Sequence, residues 1–127
     1  MDLGLQGDAA LVTASSAGLG KASARALARE GVDVAMNGRD EDRLDAAVED
    51  VRSDGEGDVI GIVGDISVAA DTERLIAATV DAFDGLDHLV TSAGGPPSGP
   101  FLDTDDEDWQ ATFDTLVMSV VRLAREA

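Results

Sequence analysis

One stretch of the chain, from Leu11 to Lys21, carries residue types that suit phosphate binding. Its apolar residues end at Val12 and give way at once to small hydroxylated residues and glycines. We therefore expect a strand to end near Thr13 and a helix to begin near Gly18. The first backbone N–H groups of a helix have no acceptor within the helix and carry partial positive charge. Because small side chains let a phosphate approach these groups closely, the stretch predicts a cradle for an anion.

Spacing distinguishes two kinds of phosphate loop. A Walker-type loop needs a glycine five residues before its Gly-Lys pair and a hydroxyl directly after it, but this chain has Ser15 and Ala22 there. The three-glycine dinucleotide fingerprint fits better, with Gly18 and Gly20 in place and Ala14 where the first glycine is expected. From these residues alone, an ordinary tight turn that opens a helix explains the pattern equally well.

Length and composition exclude several classes of protein. The chain has 127 residues, of which 44% are hydrophobic, as expected for one domain with a real core. It has no cysteine and a single histidine, so we predict no disulfide and no metal site. Neither a basic leader with an apolar segment nor a run of eighteen apolar residues occurs, so we predict a cytoplasmic protein with no membrane partner.

The charge is strongly acidic, with 26 acidic residues against nine basic ones and a formal net charge of −17. Such a surface repels nucleic acids, whose recognition depends on matching phosphates with basic side chains, so we predict no nucleic-acid partner. Self-repulsion destabilises a compact state in dilute buffer, whereas molar salt shortens the screening length to about 3 Å. A halophilic protein of a salt-rich cytoplasm and an ordinary acidic protein both remain open.

Short apolar strands alternate with helical patterns along the chain. We expect strands over residues 9–13, 32–37 and 59–63 and around 89–90, with helices between them. This alternation predicts an α/β fold, a Rossmann-like doubly wound parallel sheet of four strands in the order 3-2-1-4. A ligand crevice is then expected at the carboxyl ends of strands one and four, where the order reverses.

The last third of the sequence holds a loop and a long helix. The glycine- and proline-rich loop 94–100 follows strand four and should point into the crevice. Thr104 and Glu107 have the spacing of a capping box, and they precede a helical apolar stripe. The stripe consists of Trp109, Phe113, Leu116, Val120 and Leu123. Because the chain stops inside this helix after only four strands, we expect residues 1–127 to form one truncated dinucleotide-binding domain.

Motifs in this order resemble the short-chain dehydrogenase/reductase family, and within it the 3-oxoacyl-acyl-carrier-protein reductase-like members. The segment 13–20 resembles the family's cofactor turn, Asp65-Ile66 its adenine-contacting pair, and the segment 91–94 its Asn-Asn-Ala-Gly sequence. The resemblance spans essentially the whole chain and implies a nicotinamide cofactor. The cofactor-binding residues that it implies are Thr13, Ser15, Ser16, Gly18, Leu19, Gly20, Asn37, Arg39, Asp65, Ile66, Ser92, Ala93 and Gly94.

The end of strand two indicates which cofactor is favoured. A site for NAD places an acid there to accept from the ribose 2′-hydroxyl, whereas the 2′-phosphate of NADP suits an arginine. Here Arg39 and Asn37 could hold the phosphate, while Asp40 is better placed to cap the following helix. The sequence therefore favours NADP over NAD.

The family's proton-transfer residues have no counterpart in this sequence. The chain contains no tyrosine, its only lysine is Lys21 in the glycine turn, and Leu116 stands where the family has a relay asparagine. The resemblance thus implies the cofactor-binding half of an NAD(P)-dependent oxidoreductase whose parent takes a small-molecule carbonyl substrate. It implies no catalytic residues here, and a homo-oligomer formed through the final helix. Non-catalytic alternatives are a dinucleotide-binding or sensory module and an unfolded gene remnant.

Overall fold

The fold is described from a computed structural model, which covers residues 1–95 and 98–127. Strands and helices alternate along the chain. They are β1 (Ala9–Val12), α1 (Gly18–Arg29), β2 (Asp33–Gly38), α2 (Glu41–Arg52), β3 (Val59–Val63), α3 (Ala69–Phe83), β4 (His88–Val90), α4 (Asp106–Phe113) and α5 (Ser119–Glu126). A 3-10 turn, Phe101–Asp103, precedes α4, and a π-helical turn, Asp114–Met118, joins α4 to α5.

The four strands form one parallel sheet in the order β3-β2-β1-β4, which confirms the predicted order. Leu11 in β1 lies opposite Ala35 of β2 on one side and Leu89 of β4 on the other. All of β1 is buried, while β4 is half-buried along its three residues. The segments that follow β1 and β4 run to opposite faces of the sheet, with α1 on one face and α5 on the other. A crevice therefore opens between the carboxyl ends of these two strands.

Helices cover both faces of the sheet because neighbouring strand residues point to opposite sides. On one face, Ala10 and Val12 pack against α1 and α2, and this core includes an apolar stripe of α2. The stripe consists of Leu44, Ala47, Val48 and Val51, all buried. On the other face Leu11 packs with Leu75 of α3 and Leu123 of α5. Val80 of α3 has helical spacing with the buried Ile76, but its side chain is 40% exposed.

Capping residues explain where the helices begin and end. Asp40 caps α2 as predicted, and its side chain accepts a hydrogen bond of 3.0 Å from the backbone N–H of Arg43. Gly31, with φ of 81°, ends α1 in a conformation that suits glycine. The capping box of α4 is formed by Asp105 and Asp108, one position later than the predicted Thr104 and Glu107.

The last helix differs from the continuous one that the apolar stripe predicts. The π-helical turn interrupts it, and of the five stripe residues only Leu123 is buried. Trp109, Phe113, Leu116 and Val120 are between 41% and 56% exposed. In the described part of the chain, no helix is both long and apolar enough to cross a bilayer.

Candidate cofactor-binding site

An open cleft of about 1120 Å³ lies at the carboxyl ends of the strands. The turns after β1, β2, β3 and β4 line it, together with the end of α4 and the π-helical turn that follows. The cleft brings together eleven of the thirteen residues predicted from the sequence. These are Ser16, Gly18, Leu19, Gly20, Asn37, Arg39, Asp65, Ile66, Ser92, Ala93 and Gly94.

Thr13 and Ser15 do not face the cleft, contrary to the prediction. Both are completely buried, and their hydroxyls are used inside the fold. The hydroxyl of Thr13 donates to the carbonyl of Ser92 at 2.8 Å and accepts from its N–H at 3.0 Å. The hydroxyl of Ser15 donates to Val12 and accepts from the N–H of Asn37. These two hydroxyls therefore position the loops that line the cleft.

Asn37 borders the cleft, but its side chain is committed to the loops around it. Its carbonyl oxygen accepts from the N–H of Ala14 at 3.0 Å, and its amide group donates to Ile62 and Gly64, both at 3.1 Å. Both amide hydrogens are thus used, and the residue is 1% exposed. Asn37 therefore ties the glycine turn to the end of β3, and its contact with a ribose phosphate stays a prediction.

The glycine turn adopts left-handed backbone at two positions. Gly18 has φ of 58°, and a Cβ added to it would meet no heavy atom within 4 Å, so the space beside its backbone is open. Ala14, at the first glycine position of the fingerprint, has φ of 46°. Left-handed backbone costs a non-glycine residue about 1–2 kcal/mol, so the alanine strains the turn. The hydrogen bond that the N–H of Ala14 donates to the side-chain oxygen of Asn37 helps to hold the turn in this conformation.

Two further glycines allow parts of the site to approach each other closely. A Cβ on Gly20 would lie 2.4 Å from the carbonyl oxygen of Ala14, so only glycine lets α1 start this near the end of β1. A Cβ on Gly38 would lie 2.1 Å from the hydroxyl oxygen of Ser16. The Ser16 hydroxyl therefore rests directly on the end of β2, next to Arg39.

Ser16 carries a buried hydroxyl oxygen that has no hydrogen-bond partner among the described residues. A buried polar group normally finds a partner, since leaving it unpaired costs roughly 1–3 kcal/mol. Ser16 borders the cleft, and the oxygen lies beside the glycine turn and the end of β2. A ligand in the cleft could supply the missing partner.

Two arginines give this acidic protein a positive group at the mouth of the cleft. Arg39 follows β2 directly, and Arg43 lies in the first turn of α2. Both border the cleft, and within residues 1–95 and 98–127 neither guanidinium has a carboxylate within 4 Å. The sequence motifs point to Arg39 and not to Arg43. The available signal for Arg43 is its place in the first turn of α2, three residues after the capping Asp40.

Asp65 and Ile66 form the wall that follows β3. One carboxylate oxygen of Asp65 accepts from the N–H of Ser67 at 2.9 Å and from its hydroxyl at 2.7 Å. The hydroxyl bond, helped by the backbone bond and by the nearby charge of Arg39, holds the pKa of Asp65 below its usual value. The carboxylate therefore stays ionised at neutral pH, as an acceptor for an amino group in the cleft.

Lys21 and His88 are not among the residues that line the cleft. The ammonium group of Lys21 lies 2.7 Å from a carboxylate oxygen of Asp50 on α2. The ring of His88 lies 2.7 Å from a carboxylate oxygen of Asp8 and is engaged within the fold. Gly94 and Gly95 border the cleft as expected for the loop 94–100, while Pro96 and Pro97 lie outside the described residues.

Thr115 and Leu116 of the π-helical turn, with Ala111 and Thr112 before it, form the far wall of the cleft. The hydroxyl of Thr115 donates to the carbonyl of Ala111 at 3.0 Å. Leu116 presents an apolar side chain there. The side chain of Leu116 itself has no donor and no acceptor with which to relay a proton.

The geometry of this cleft can be compared with known proteins. A family model described as short chain dehydrogenase matches residues 8–127. The chain belongs to the short-chain dehydrogenase family. Among curated members, glucose 1-dehydrogenase from Gluconobacter oxydans is 39% identical over 120 residues, a match that covers 94% of this chain and 45% of that protein.

Solved structures of short-chain dehydrogenases have the same fold. L-sorbose reductase from Gluconobacter frateurii, crystallised with NADPH and L-sorbose, superposes with a TM-score of 0.93 at 32% identity, covering 99% of this chain and 48% of that one. A short chain dehydrogenase from Burkholderia cenocepacia in complex with NADP gives 0.90 at 33% identity, covering 97% and 50%. The chain thus spans about half the length of the relatives it matches.

Proposed function

We propose that these 127 residues form the cofactor-binding half of an NADP-preferring oxidoreductase that acts on a carbonyl/alcohol pair. The observation that carries the proposal is the set of groups in the cleft that lack partners. The Ser16 hydroxyl lies against Gly38, Arg39 follows Gly38 directly, and both residues line the cleft beside a glycine turn with open space at Gly18. Family membership and the NADP and NADPH complexes of similar structures support it.

The residues of the cleft fit a dinucleotide in both charge and shape. Backbone N–H groups at the start of α1, with the small residues around them, suit a pyrophosphate. Arg39 suits a 2′-phosphate on the adenosine ribose, and the ionised Asp65 suits the amino group of adenine. When bound, a nicotinamide cofactor supplies hydride to a carbonyl carbon. The chain's own part is to bind and orient that cofactor.

The proton for the carbonyl oxygen has no donor of the family's kind in these residues. The sequence contains no tyrosine, and its only lysine is paired with Asp50 and does not border the cleft. Leu116 offers neither a donor nor an acceptor. We therefore propose that residues 1–127 bind the cofactor but do not reduce carbonyls, and that a further polypeptide segment must provide the acid.

The proposal extends to self-association through the last helical segment. Trp109, Phe113 and Val120 leave large apolar surfaces exposed there, which are costly in water. A second copy that covers this face would bury them. The family resemblance of this helix supports the same idea.

Replacing Arg39 by alanine should remove the preference for NADPH over NADH. A guanidinium that binds a phosphate through two hydrogen bonds raises the affinity for the ligand by about tenfold or more. NADH carries no 2′-phosphate, so its affinity should not depend on Arg39. Wild-type protein should thus bind NADPH at least about tenfold more tightly, and the variant should bind both alike. Titration followed by NADPH and NADH fluorescence measures this. Equal affinities in the wild type, unchanged by the substitution, would reject the role of Arg39.

Arg125→Ala is the matched control for this experiment. It removes the same charge from an exposed residue of α5 that does not border the cleft. If the preference depended only on the overall charge of the protein, Arg125→Ala and Arg39→Ala would lower it equally. The proposal requires that the control retain the preference of the wild type.

A further inference from the structure

Among the residues that the structure describes, two residues other than glycine have left-handed backbone: Ala14, with φ of 46°, and Asp84, with φ of 59°. Asp84 follows the last turn of α3, where left-handed backbone is common and an aspartate tolerates it. Ala14 ends no helix and has no polar side chain that could form a local hydrogen bond. Its conformation must therefore be imposed by contacts with other parts of the fold.

Hydrogen bonds from the end of β2 fix the turn at Ala14 and at the residue after it. The N–H of Ala14 donates to the side-chain oxygen of Asn37 at 3.0 Å, and the amide group of Asn37 donates to the carbonyls of Ile62 and Gly64. The N–H of Ser15 donates to the carbonyl of Asn37 at 2.7 Å, and the Ser15 hydroxyl accepts from the N–H of Asn37 at 2.9 Å. Strained backbone persists where the surroundings over-determine it, as these buried contacts do.

The methyl group of Ala14 is the part of this residue that is left to border the cleft. Its N–H is bound to Asn37, and its carbonyl oxygen lies against Gly20, where an added Cβ would come within 2.4 Å of it. Ala14 is half-buried and belongs to the lining of the cleft. The methyl group therefore occupies space that a glycine at this position would leave to a ligand.

The start of α1 lies in the same cleft without an anionic partner from its own sequence. Ala17 precedes the helix and has no side-chain oxygen to accept from the first N–H groups, and the first turn holds no acid. Gly18 and Gly20 of this turn also line the cleft. A ligand whose phosphates reach these N–H groups must share the cleft with the methyl group of Ala14.

We propose that Ala14 limits the affinity of the cleft for a dinucleotide, because its methyl group, held there by strained backbone, prevents the closest approach to the glycine turn. The inference rests on the proposed function, because it concerns a residue of the same site. It adds that glycine at position 14 would both relax the backbone and strengthen binding. Since the turn serves the part of the dinucleotide that NADPH and NADH share, both cofactors should bind more tightly by the same factor.

The test compares Ala14→Gly with the wild type in Tm and in affinity for NADPH and NADH, measured by fluorescence titration. The substitution should raise Tm by about 2–5 °C, since relief of the left-handed strain exceeds the added freedom of the unfolded chain. It should also tighten the binding of both cofactors by about three- to tenfold.

Asp84→Gly is the matched control, because it relieves the other left-handed residue, which does not line the cleft. Asp84→Asn accompanies it, since asparagine tolerates this backbone and removes the same charge. Asp84→Gly should have a higher Tm than Asp84→Asn, and both should bind each cofactor within about twofold of the wild type. If Asp84→Gly tightened binding as much as Ala14→Gly, the effect would come from overall stability and the inference would be rejected.

The outcomes separate this inference from the function on which it rests. If Ala14→Gly raises Tm but leaves both affinities unchanged or lowers them, the methyl group does not limit binding, and the inference is rejected while the cofactor site stands. If Ala14→Gly does not raise Tm, the turn is not strained and the inference is rejected as well. If neither the wild type nor Ala14→Gly binds NADPH or NADH, the proposed function itself is wrong.

Discussion

Gly20→Ala is expected to destabilise the protein by about 2–4 kcal/mol and to abolish cofactor binding. The added Cβ would lie 2.4 Å from the carbonyl oxygen of Ala14 and 3.0 Å from the Cα of Ser15. Neither atom can move easily. The N–H of Ser15 donates to the carbonyl of Asn37 at 2.7 Å, and the N–H of Ala14 donates to the Asn37 side chain. The helix or the turn must therefore shift, and buried hydrogen bonds are lost.

Urea unfolding measures this destabilisation. If the free energy of unfolding depends on urea concentration with the same slope in both proteins, the surface exposed on unfolding is unchanged and the two free energies can be compared. Gly99→Ala is the matched control, because a Cβ there meets no heavy atom within 4 Å and the backbone is not left-handed. The control should be within about 0.5 kcal/mol of the wild type. A Gly20→Ala protein as stable as this control would contradict the close approach of α1 to the end of β1.

Raising potassium chloride from about 0.1 M to about 2 M is expected to stabilise the fold by roughly 2 kcal/mol, or about 10 °C in Tm. The reason is the repulsion among carboxylates in a chain of net charge −17. Most of this increase in stability should occur between about 0.1 M and about 1 M potassium chloride, because the screening length falls over that range from about 10 Å to about 3 Å. Exclusion of salt from the protein surface would instead give a gain that keeps growing.

A variant with fewer carboxylates tests this cause. Asp45, Glu73 and Asp81 are exposed and belong to none of the ion pairs within residues 1–95 and 98–127. Replacing all three by their amides should raise Tm at low salt and reduce the gain on adding salt. Thermal melting followed by circular dichroism measures both. A midpoint that stays flat or falls with salt in the wild type would favour an ordinary acidic protein.

Local chemistry made much of the fold predictable. Asp40 could be identified as a helix cap because its side chain and the following acids suit the first turn. The strand Val59–Val63 and the buried stripe of α2 follow from uninterrupted apolar runs and helical spacing. The order of the strands follows from the alternation of strands and helices, since right-handed crossovers leave few other topologies.

Features that depend on long-range contacts were not predictable from local patterns. Val80 has helical spacing with its buried neighbours, yet its side chain is partly exposed. The capping box moved from Thr104 to Asp105 because both residues are good caps and only the path of the chain selects between them. The π-helical turn has no signature in the sequence that local spacing could detect.

In the candidate site, too, local patterns were predictable and long-range contacts were not. Motif resemblance located the cleft, but it did not separate ligand-facing residues from those that hold the loops. Thr13, Ser15 and Asn37 have polar side chains in the right segments, and only the hydrogen bonds show that they are used inside the fold. Arg43 was missed because an arginine on a helix is usually solvated, and its orientation towards the cleft depends on how α2 packs.

The most direct test of the central claim is to measure NADPH binding and NADPH oxidation in the same sample of residues 1–127. The protein is titrated with NADPH by fluorescence, and a panel of ketones, aldehydes and 3-oxoacyl thioesters is then added while NADPH absorbance is followed. The account predicts saturable binding, tighter than that of NADH, and no oxidation above the uncatalysed rate. Absence of binding, or clear turnover by these residues alone, would contradict it.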